Sequence, residues 1–132
     1  MNAATATDIS SRVVLVVDDE ALLRMLAADI VEEAGYAAVE ARNAAEALSI
    51  LEGRADICLL ITDVNMPGQL DGIALAHITR EKWPAVGIMI VSGRIRPDPS
   101  SLPAGSQFMP KPFDADKVIA EIRAVMTSGY PQ

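Results

Sequence analysis

Two kinds of apolar pattern alternate along this chain of 132 residues. Five segments are too short for helices, and we predict that they form strands: Val13–Val17, Ala37–Ala41, Ile57–Thr62, Gly87–Val91 and Gln107–Met109. The first, third and fourth are apolar at almost every position, as strands covered on both faces are. The pattern therefore predicts a sheet buried between layers of helices.

Between these strands, apolar residues recur with the period of an amphipathic helix. We predict four helices, over residues 22–34, 43–51, 73–82 and from 114 onwards. The apolar stripe of the first helix is expected to be Leu23, Leu26, Ile30 and Ala34. Strands that alternate with helices form a parallel sheet, and right-handed crossovers place helices on both faces. The predicted fold class is α/β, with a doubly wound five-stranded parallel sheet.

Composition and charge narrow the classes of protein to which this chain can belong. Its length suits one domain with a single core, and 51% hydrophobic residues argue against disorder. A net charge of −7 disfavours binding to nucleic acid or to an anionic membrane, and no apolar run reaches the length of a membrane span. The chain has no signal-peptide pattern and a single cysteine, so we expect a cytoplasmic protein. Its domain should cover residues 12–128, between a flexible tail of residues 1–11 and a short tail of residues 129–132.

Polar side chains interrupt or follow the predicted strands at matching points. Asp18 and Asp19 end the first strand, and Asp63 ends the third. Ser92 ends the fourth strand, and Lys111 follows the fifth. Because the carboxyl ends of parallel strands share one edge of the sheet, we expect these distant residues to converge there.

Three carboxylates at one point repel one another unless a cation lies between them. Oxygen ligands of that charge suit a hard divalent ion, and Mg²⁺ is the expected one. Mg²⁺ usually takes only one or two protein carboxylates and leaves positions for a phosphoryl oxygen, while a lysine and a hydroxyl can bind the other oxygens. The residues therefore predict a Mg²⁺-assisted phosphoryl site in which an aspartate can be the nucleophile.

Each of these residues also has an ordinary structural interpretation. Asp18 and Asp19 could cap the first helix, because acidic residues favour helix N-termini. Ser92 could be a turn residue and Lys111 a surface lysine. Asp63 is the hardest to explain in this way, since a carboxylate at the end of a buried strand is unfavourable unless it is paired or bound to a metal.

The segments VVDDE, DVNMPG, VSG and KPF, in this order on this fold, resemble the receiver domains of two-component response regulators. The resemblance covers about residues 12–126. It implies that Asp63 accepts a phosphoryl group from a phosphohistidine, on a sensor histidine kinase or a histidine phosphotransfer protein. It also implies a flavodoxin-like strand order, 2-1-3-4-5, and a signalling role through a downstream protein that the sequence does not identify.

The same resemblance assigns the metal ligands. Asp19 and Asp63 would ligate Mg²⁺ directly. Asn65 would contribute its backbone carbonyl, and Asp18 would act largely through water. These roles are expectations from the resemblance alone.

The resemblance also assigns the residues around the phosphoryl group. Ser92 and Lys111 would bind its oxygens, and Phe108 would be the aromatic residue whose rotamer follows phosphorylation. A cis peptide bond between Lys111 and Pro112 is suggested as well, and bonds before proline tolerate the cis form.

Two segments depart from the usual pattern of this family. The loop MPGQLDG is one residue longer than usual, which would change access for the kinase. Prolines 97, 99, 103 and 110 occupy the region where a receiver normally has its fourth helix, and a proline inside a helix costs about 3 kcal/mol. We therefore predict a fourth helix that is short or missing, with one short turn near Ser100–Leu102. Arg94 in this loop is a hypothetical regulator of the rate at which the phosphate is lost.

Two other functions remain compatible with the residues. One is a Mg²⁺-dependent phosphatase with an aspartate nucleophile, although such enzymes place two acids as D-x-D after the first strand. The other is a receiver-like interaction module that is never phosphorylated, against which the complete set of polar residues argues. We expect a stand-alone receiver that is not a turnover enzyme, although it assists its own phosphorylation and dephosphorylation.

Overall fold

The computed structural model describes residues 13–66, 68, 70–93, 97–111 and 114–128, with side chains as far as residue 124. Strands and helices alternate in the order β1 (Val13–Val17), α1 (Ala21–Glu33), β2 (Ala37–Ala41), α2 (Ala44–Gly53), β3 (Ile57–Asp63), α3 (Gly72–Lys82), β4 (Gly87–Ser92), β5 (Gln107–Pro110) and α4 (Ala115–Ser128). Every predicted strand and helix is present, and no boundary differs from the predicted one by more than two residues. None of the helices in the described ranges is both long and apolar enough to span a membrane.

The strands form one parallel sheet in the order β2-β1-β3-β4-β5. This confirms the doubly wound α/β class and the predicted order 2-1-3-4-5. Alternate strand residues point to opposite faces, so Val14 and Val16 pack with α1 and α4, whereas Val13 and Leu15 pack with α2 and α3. The apolar runs of the sequence are therefore covered on both faces, and the polar residues that end them are left at the carboxyl edge.

The first helix does not bury the stripe that its periodicity indicated. Ile30 and Ala34 are buried as predicted, but Leu26 is 45% exposed, together with Leu22 at 78% and Met25 at 54%. The buried residues of the helix are Ala27, Ala28, Ile30 and Val31. The buried face therefore keeps Ile30 from the predicted stripe but is turned away from Leu26.

The region between β4 and β5 contains only one short helix among its described residues, a 3-10 helix at Pro99–Ser101. The prediction of a short or missing fourth helix is confirmed, and the turn lies within one residue of the predicted place. We call residues 97–106 the proline-rich segment. It is held against α3 by His77, whose Nε2 lies 2.7 Å from the carbonyl oxygen of Ser101, and by Arg80, whose Nε donates to the carbonyl of Ala104.

Candidate site at the carboxyl edge of the sheet

The polar residues predicted to converge do lie together. Lys111 Nζ is 3.1 Å from Asp18 Oδ2 and 3.3 Å from Asp63 Oδ1. Carboxylate oxygens of Asp18, Asp19 and Asp63 lie within 4.8 Å of one another. Residues 93 positions apart in the chain therefore form one site, because the carboxyl ends of all the parallel strands share one edge of the sheet.

The turn after β1 places Asp18 and Asp19 differently. Asp18 is buried; its backbone N–H donates to the carbonyl of Ala41, and its Oδ1 accepts a hydrogen bond from the backbone N–H of Glu20. Asp19 is exposed. The N-cap of α1 is Glu20, which makes no side-chain capping hydrogen bond in the described structure. Helix capping therefore does not explain why the two aspartates are present.

Asp63 is the last residue of β3 and is buried. Burial raises the pKa of its carboxyl group, and the negative charge of Asp18 raises it further. The ammonium of Lys111 acts in the opposite direction without cancelling these effects. Asp63 is thus a carboxylate whose charge is incompletely compensated by the protein, as expected of a group that binds a cation or accepts an electrophile.

Lys111 joins the two buried carboxylates. Burial alone would lower the pKa of its ammonium, but the hydrogen bond and charge of Asp18, together with Asp63, outweigh burial and raise the pKa. Its backbone N–H donates to the carbonyl of Ser92, which ties the end of β5 to the end of β4. Ser92 is itself buried next to this contact. The two residues predicted to bind phosphoryl oxygens are therefore joined through their backbones at the carboxyl edge.

The backbone at Asp63 is fixed by the start of α3. Gly72 N–H donates to the carbonyl of Val64 at 2.8 Å, and a Cβ atom added at Gly72 would overlap the carbonyl oxygen of Asp63. The hydroxyl of Thr62 donates to that same oxygen at 3.0 Å. In the sequence Gly72 is only the last residue of the loop MPGQLDG, and a glycine before a helix gives no sign of the distant backbone that it touches.

Two other predicted site residues, Asn65 and Phe108, are among the described residues. Asn65 is exposed in the loop after Asp63, and Phe108 on β5 is half-buried against the cluster that includes Ile88 and Ile90. Their proposed roles stay predictions. Arg94 and the peptide bond to Pro112 lie outside the described residues.

The donors at this edge fit a magnesium ion. They are carboxylate oxygens, two of the three groups are buried, and the third is open to solvent. Lys111 brings one positive charge to two of the three acids, Asp18 and Asp63. A hard divalent cation that keeps part of its water shell would supply the missing charge and would be reached from the side of Asp19.

Comparisons with known proteins agree with this geometry. The response regulator receiver domain family matches residues 14–123 of the chain. The structure is similar to the receiver domain of NtrX from Brucella abortus, at 32% identity and a TM-score of 0.79, covering 87% of this chain and 98% of that one. It is also similar to a response regulator receiver protein from Sinorhizobium medicae WSM419, at 25% identity and a TM-score of 0.82, covering 89% and 95%.

Curated relatives are longer proteins. The chain is 34% identical over 128 residues to the sensor kinase CckA of Brucella abortus, covering 92% of this chain and 13% of that protein. It is 34% identical over 110 residues to the nitrogen assimilation regulatory protein NtrX of Azorhizobium caulinodans, covering 80% and 24%. The match therefore concerns one domain of each relative.

The chain belongs to the response regulator receiver domains, the phosphoacceptor modules of two-component signalling. Receiver domains are signalling modules rather than enzymes that turn over a separate substrate.

Proposed function

We propose that this receiver takes a phosphoryl group onto Asp63 from a phosphohistidine of a sensor histidine kinase or a histidine phosphotransfer protein, in the cytoplasm and with Mg²⁺. The observation that carries the proposal is the position of Lys111 Nζ, within 3.3 Å of both Asp18 and Asp63, beside an exposed Asp19. This arrangement combines a nucleophile, a cation for the phosphoryl oxygens and oxygen ligands for a metal at one accessible edge.

Each residue of the site has a role in the proposed transfer. A carboxylate oxygen of Asp63 attacks phosphorus, the N–P bond of the phosphohistidine breaks, and the imidazole leaves with the electron pair. Lys111 and the Ser92 hydroxyl bind the oxygens of the transferring group. Asp19, Asp63 and the carbonyl of Asn65 would hold Mg²⁺, with Asp18 acting through water. The bound ion would neutralise charge on the phosphoryl oxygens.

An apolar surface beside the site gives a donor protein a place to bind. Leu22, Met25 and Leu26 lie three and four positions apart on α1, so they share one exposed face that begins directly after the acidic turn. In this proposal the donor covers this end of α1 while its histidine reaches Asp63. Burial of these side chains would favour the encounter, and an apolar helical surface on the donor would complement them.

Phosphorylation would change the surface that a downstream protein contacts. The aspartyl phosphate adds roughly one to two negative charges at neutral pH. This charge would draw Ser92 and Lys111 toward Asp63, and Phe108 would follow from its place against the same strands. The proline-rich segment connects β4 to β5, so it would move with them and present the output surface.

Incubation with Mg²⁺ and a small acyl phosphate, followed by intact-mass measurement, tests the proposal. We expect a mass gain of one phosphoryl group per chain and none in Asp63→Asn. Asp29→Asn is a matched control, because Asp29 is an exposed aspartate on α1. An adduct of unchanged yield in Asp63→Asn would refute the assignment of the acceptor.

The same samples distinguish the two alternative functions. Continuous hydrolysis of a phosphomonoester by the unaltered protein would indicate a phosphatase. A folded protein that binds Mg²⁺ but gains no phosphoryl group, even from a phosphohistidine donor, would indicate an interaction module.

A further inference from the structure

Arg24 on α1 reaches across the end of β1 to the neighbouring edge strand. Its Nη1 donates to the backbone carbonyl of Asp18 at 2.9 Å, and its Nε donates to Glu40 Oε1 on β2, also at 2.9 Å. The side chain of Arg24 is only 14% exposed, so most of its length is packed within the protein. Neither contact was anticipated from the sequence, in which Arg24 is one polar residue of an amphipathic helix.

The turn that Arg24 contacts carries two of the three acids of the site. Asp18 follows the last residue of β1, so the turn lies beyond the ladder of the sheet. Lys111 pairs with the Asp18 carboxylate, and three further described contacts hold the turn: Asp18 N–H to Ala41, Glu20 N–H to Asp18 Oδ1, and Arg24 to the carbonyl of Asp18. Repulsion between the adjacent acids favours a more open turn. A buried guanidinium on the backbone opposes that opening.

We propose that Arg24 is a positioning residue, which holds the Asp18–Asp19 turn ready for Mg²⁺ through the carbonyl of Asp18, and that Glu40 orients Arg24 for this contact. The inference rests on the Mg²⁺ site of the proposed function. Residues that hold metal ligands in place commonly change metal affinity by about tenfold or more when they are replaced.

The direction in which Mg²⁺ affinity changes when Arg24 is replaced distinguishes a positioning role from a purely electrostatic one. Arg24 carries a positive charge close to a cation site, so its removal should strengthen Mg²⁺ binding if charge alone matters. Loss of a positioning contact should instead weaken Mg²⁺ binding. The two roles therefore predict changes of opposite direction for one substitution.

The experiment is calorimetric titration of Mg²⁺ into the unaltered protein, Arg24→Ala and Arg24→Lys. We expect the dissociation constant to rise about tenfold in Arg24→Ala and to take an intermediate value in Arg24→Lys, which keeps the charge and a donor. Arg42→Ala is the matched control: Arg42 follows β2 at the same edge, but its ion pair with Glu46 is exposed. Its dissociation constant should stay within about twofold of the original, since exposed pairs contribute little.

A second measurement distinguishes positioning from loss of stability. Phosphorylation by an acyl phosphate, followed against Mg²⁺ concentration, should show a tenfold shift in the half-saturating concentration for Arg24→Ala with a nearly unchanged rate at saturation. Arg24→Ala that binds Mg²⁺ as tightly as the unaltered protein, or more tightly, overturns the inference. Absence of Mg²⁺ binding in the unaltered protein would overturn the proposed function itself.

Discussion

The carboxyl edge of the sheet and the proline-rich segment are held in place by different kinds of contact. At the edge, Lys111 pairs with Asp18 and Asp63 across 93 and 48 positions of the chain, and the charges are largely buried. In the proline-rich segment most described bonds span two or three residues, as from Ser100 to Asp98. Long-range burial of charge makes the edge sensitive to single substitutions, whereas local turns let the segment change shape with little effect elsewhere.

The largest change in stability is expected where the carboxyl edge of the sheet contacts α3. Gly72→Ala should destabilise the protein by about 3 kcal/mol or more, because the new methyl group meets the backbone of Asp63, which cannot move without shifting β3. Urea unfolding measures the change. Gly53→Ala is the control, since among the described atoms a Cβ at Gly53 meets nothing within 4 Å. That variant should gain about 0.5 kcal/mol from the better helix former.

The second largest change in stability is expected when Lys111, the buried lysine of the site, is replaced. Lys111→Met should lower the free energy of unfolding by about 2 kcal/mol in metal-free buffer, because two buried carboxylates lose their shared cation. Added Mg²⁺ should restore part of that loss. Lys82→Met removes a lysine from an exposed pair with Glu52 and should change stability by less than about 0.5 kcal/mol. Equal losses in the two variants would show that the edge pair is no more important than a surface pair.

A pH titration tests the electrostatics of Asp63. Its pKa is raised in the folded state, mainly by burial, so the folded protein holds this proton more tightly than the unfolded chain does. Ionisation of Asp63 therefore reduces stability as pH rises from about 3.8 through the raised pKa. We expect Asp63→Asn to become progressively more stable than the unaltered protein over this range, as measured by unfolding in metal-free buffer.

Asp56 should change stability with pH in the opposite direction from Asp63, so it serves as a comparison in the same titration. The hydrogen bond of Arg54 lowers the pKa of Asp56, so its contribution to stability is present above the ordinary aspartate range and is lost as pH falls through the lowered pKa. Asp56→Asn should be less stable than the unaltered protein at neutral pH, with a difference that closes in acid. A parallel response of the two variants would contradict the assigned pKa directions.

The smallest effect is expected in the proline-rich segment. His77→Ala removes one hydrogen bond to the carbonyl of Ser101 and should lower stability by only about 0.5–1 kcal/mol. Native-state hydrogen exchange should nevertheless quicken at the amides of Leu102 and Ser106, while the sheet amides keep their rates. His77→Gln retains a donor and should lie closer to the unaltered protein. Faster exchange throughout the sheet would show that the segment is coupled to the core.

Much of the site could be predicted because its residues lie at the carboxyl ends of the predicted strands. Asp63 interrupts an apolar run, and a parallel sheet brings every such interruption to one edge, as Asp18 and Lys111 confirm. The prolines likewise excluded a regular fourth helix by their backbone chemistry alone. These predictions needed only local patterns and one topological rule.

The sequence by itself determined the strands, the doubly wound class and the edge at which the acids meet, because burial and backbone chemistry leave periodic traces along a chain. Only the tertiary structure decided that α1 exposes Leu26, that Gly72 lies on the carbonyl of Asp63 and that Arg24 reaches the carbonyl of Asp18. Contacts between residues that are distant in the chain produce no periodic pattern in the sequence, and they do not depend on which residues are neighbours along the chain. They depend on how closely two elements approach, which is settled when the whole core packs.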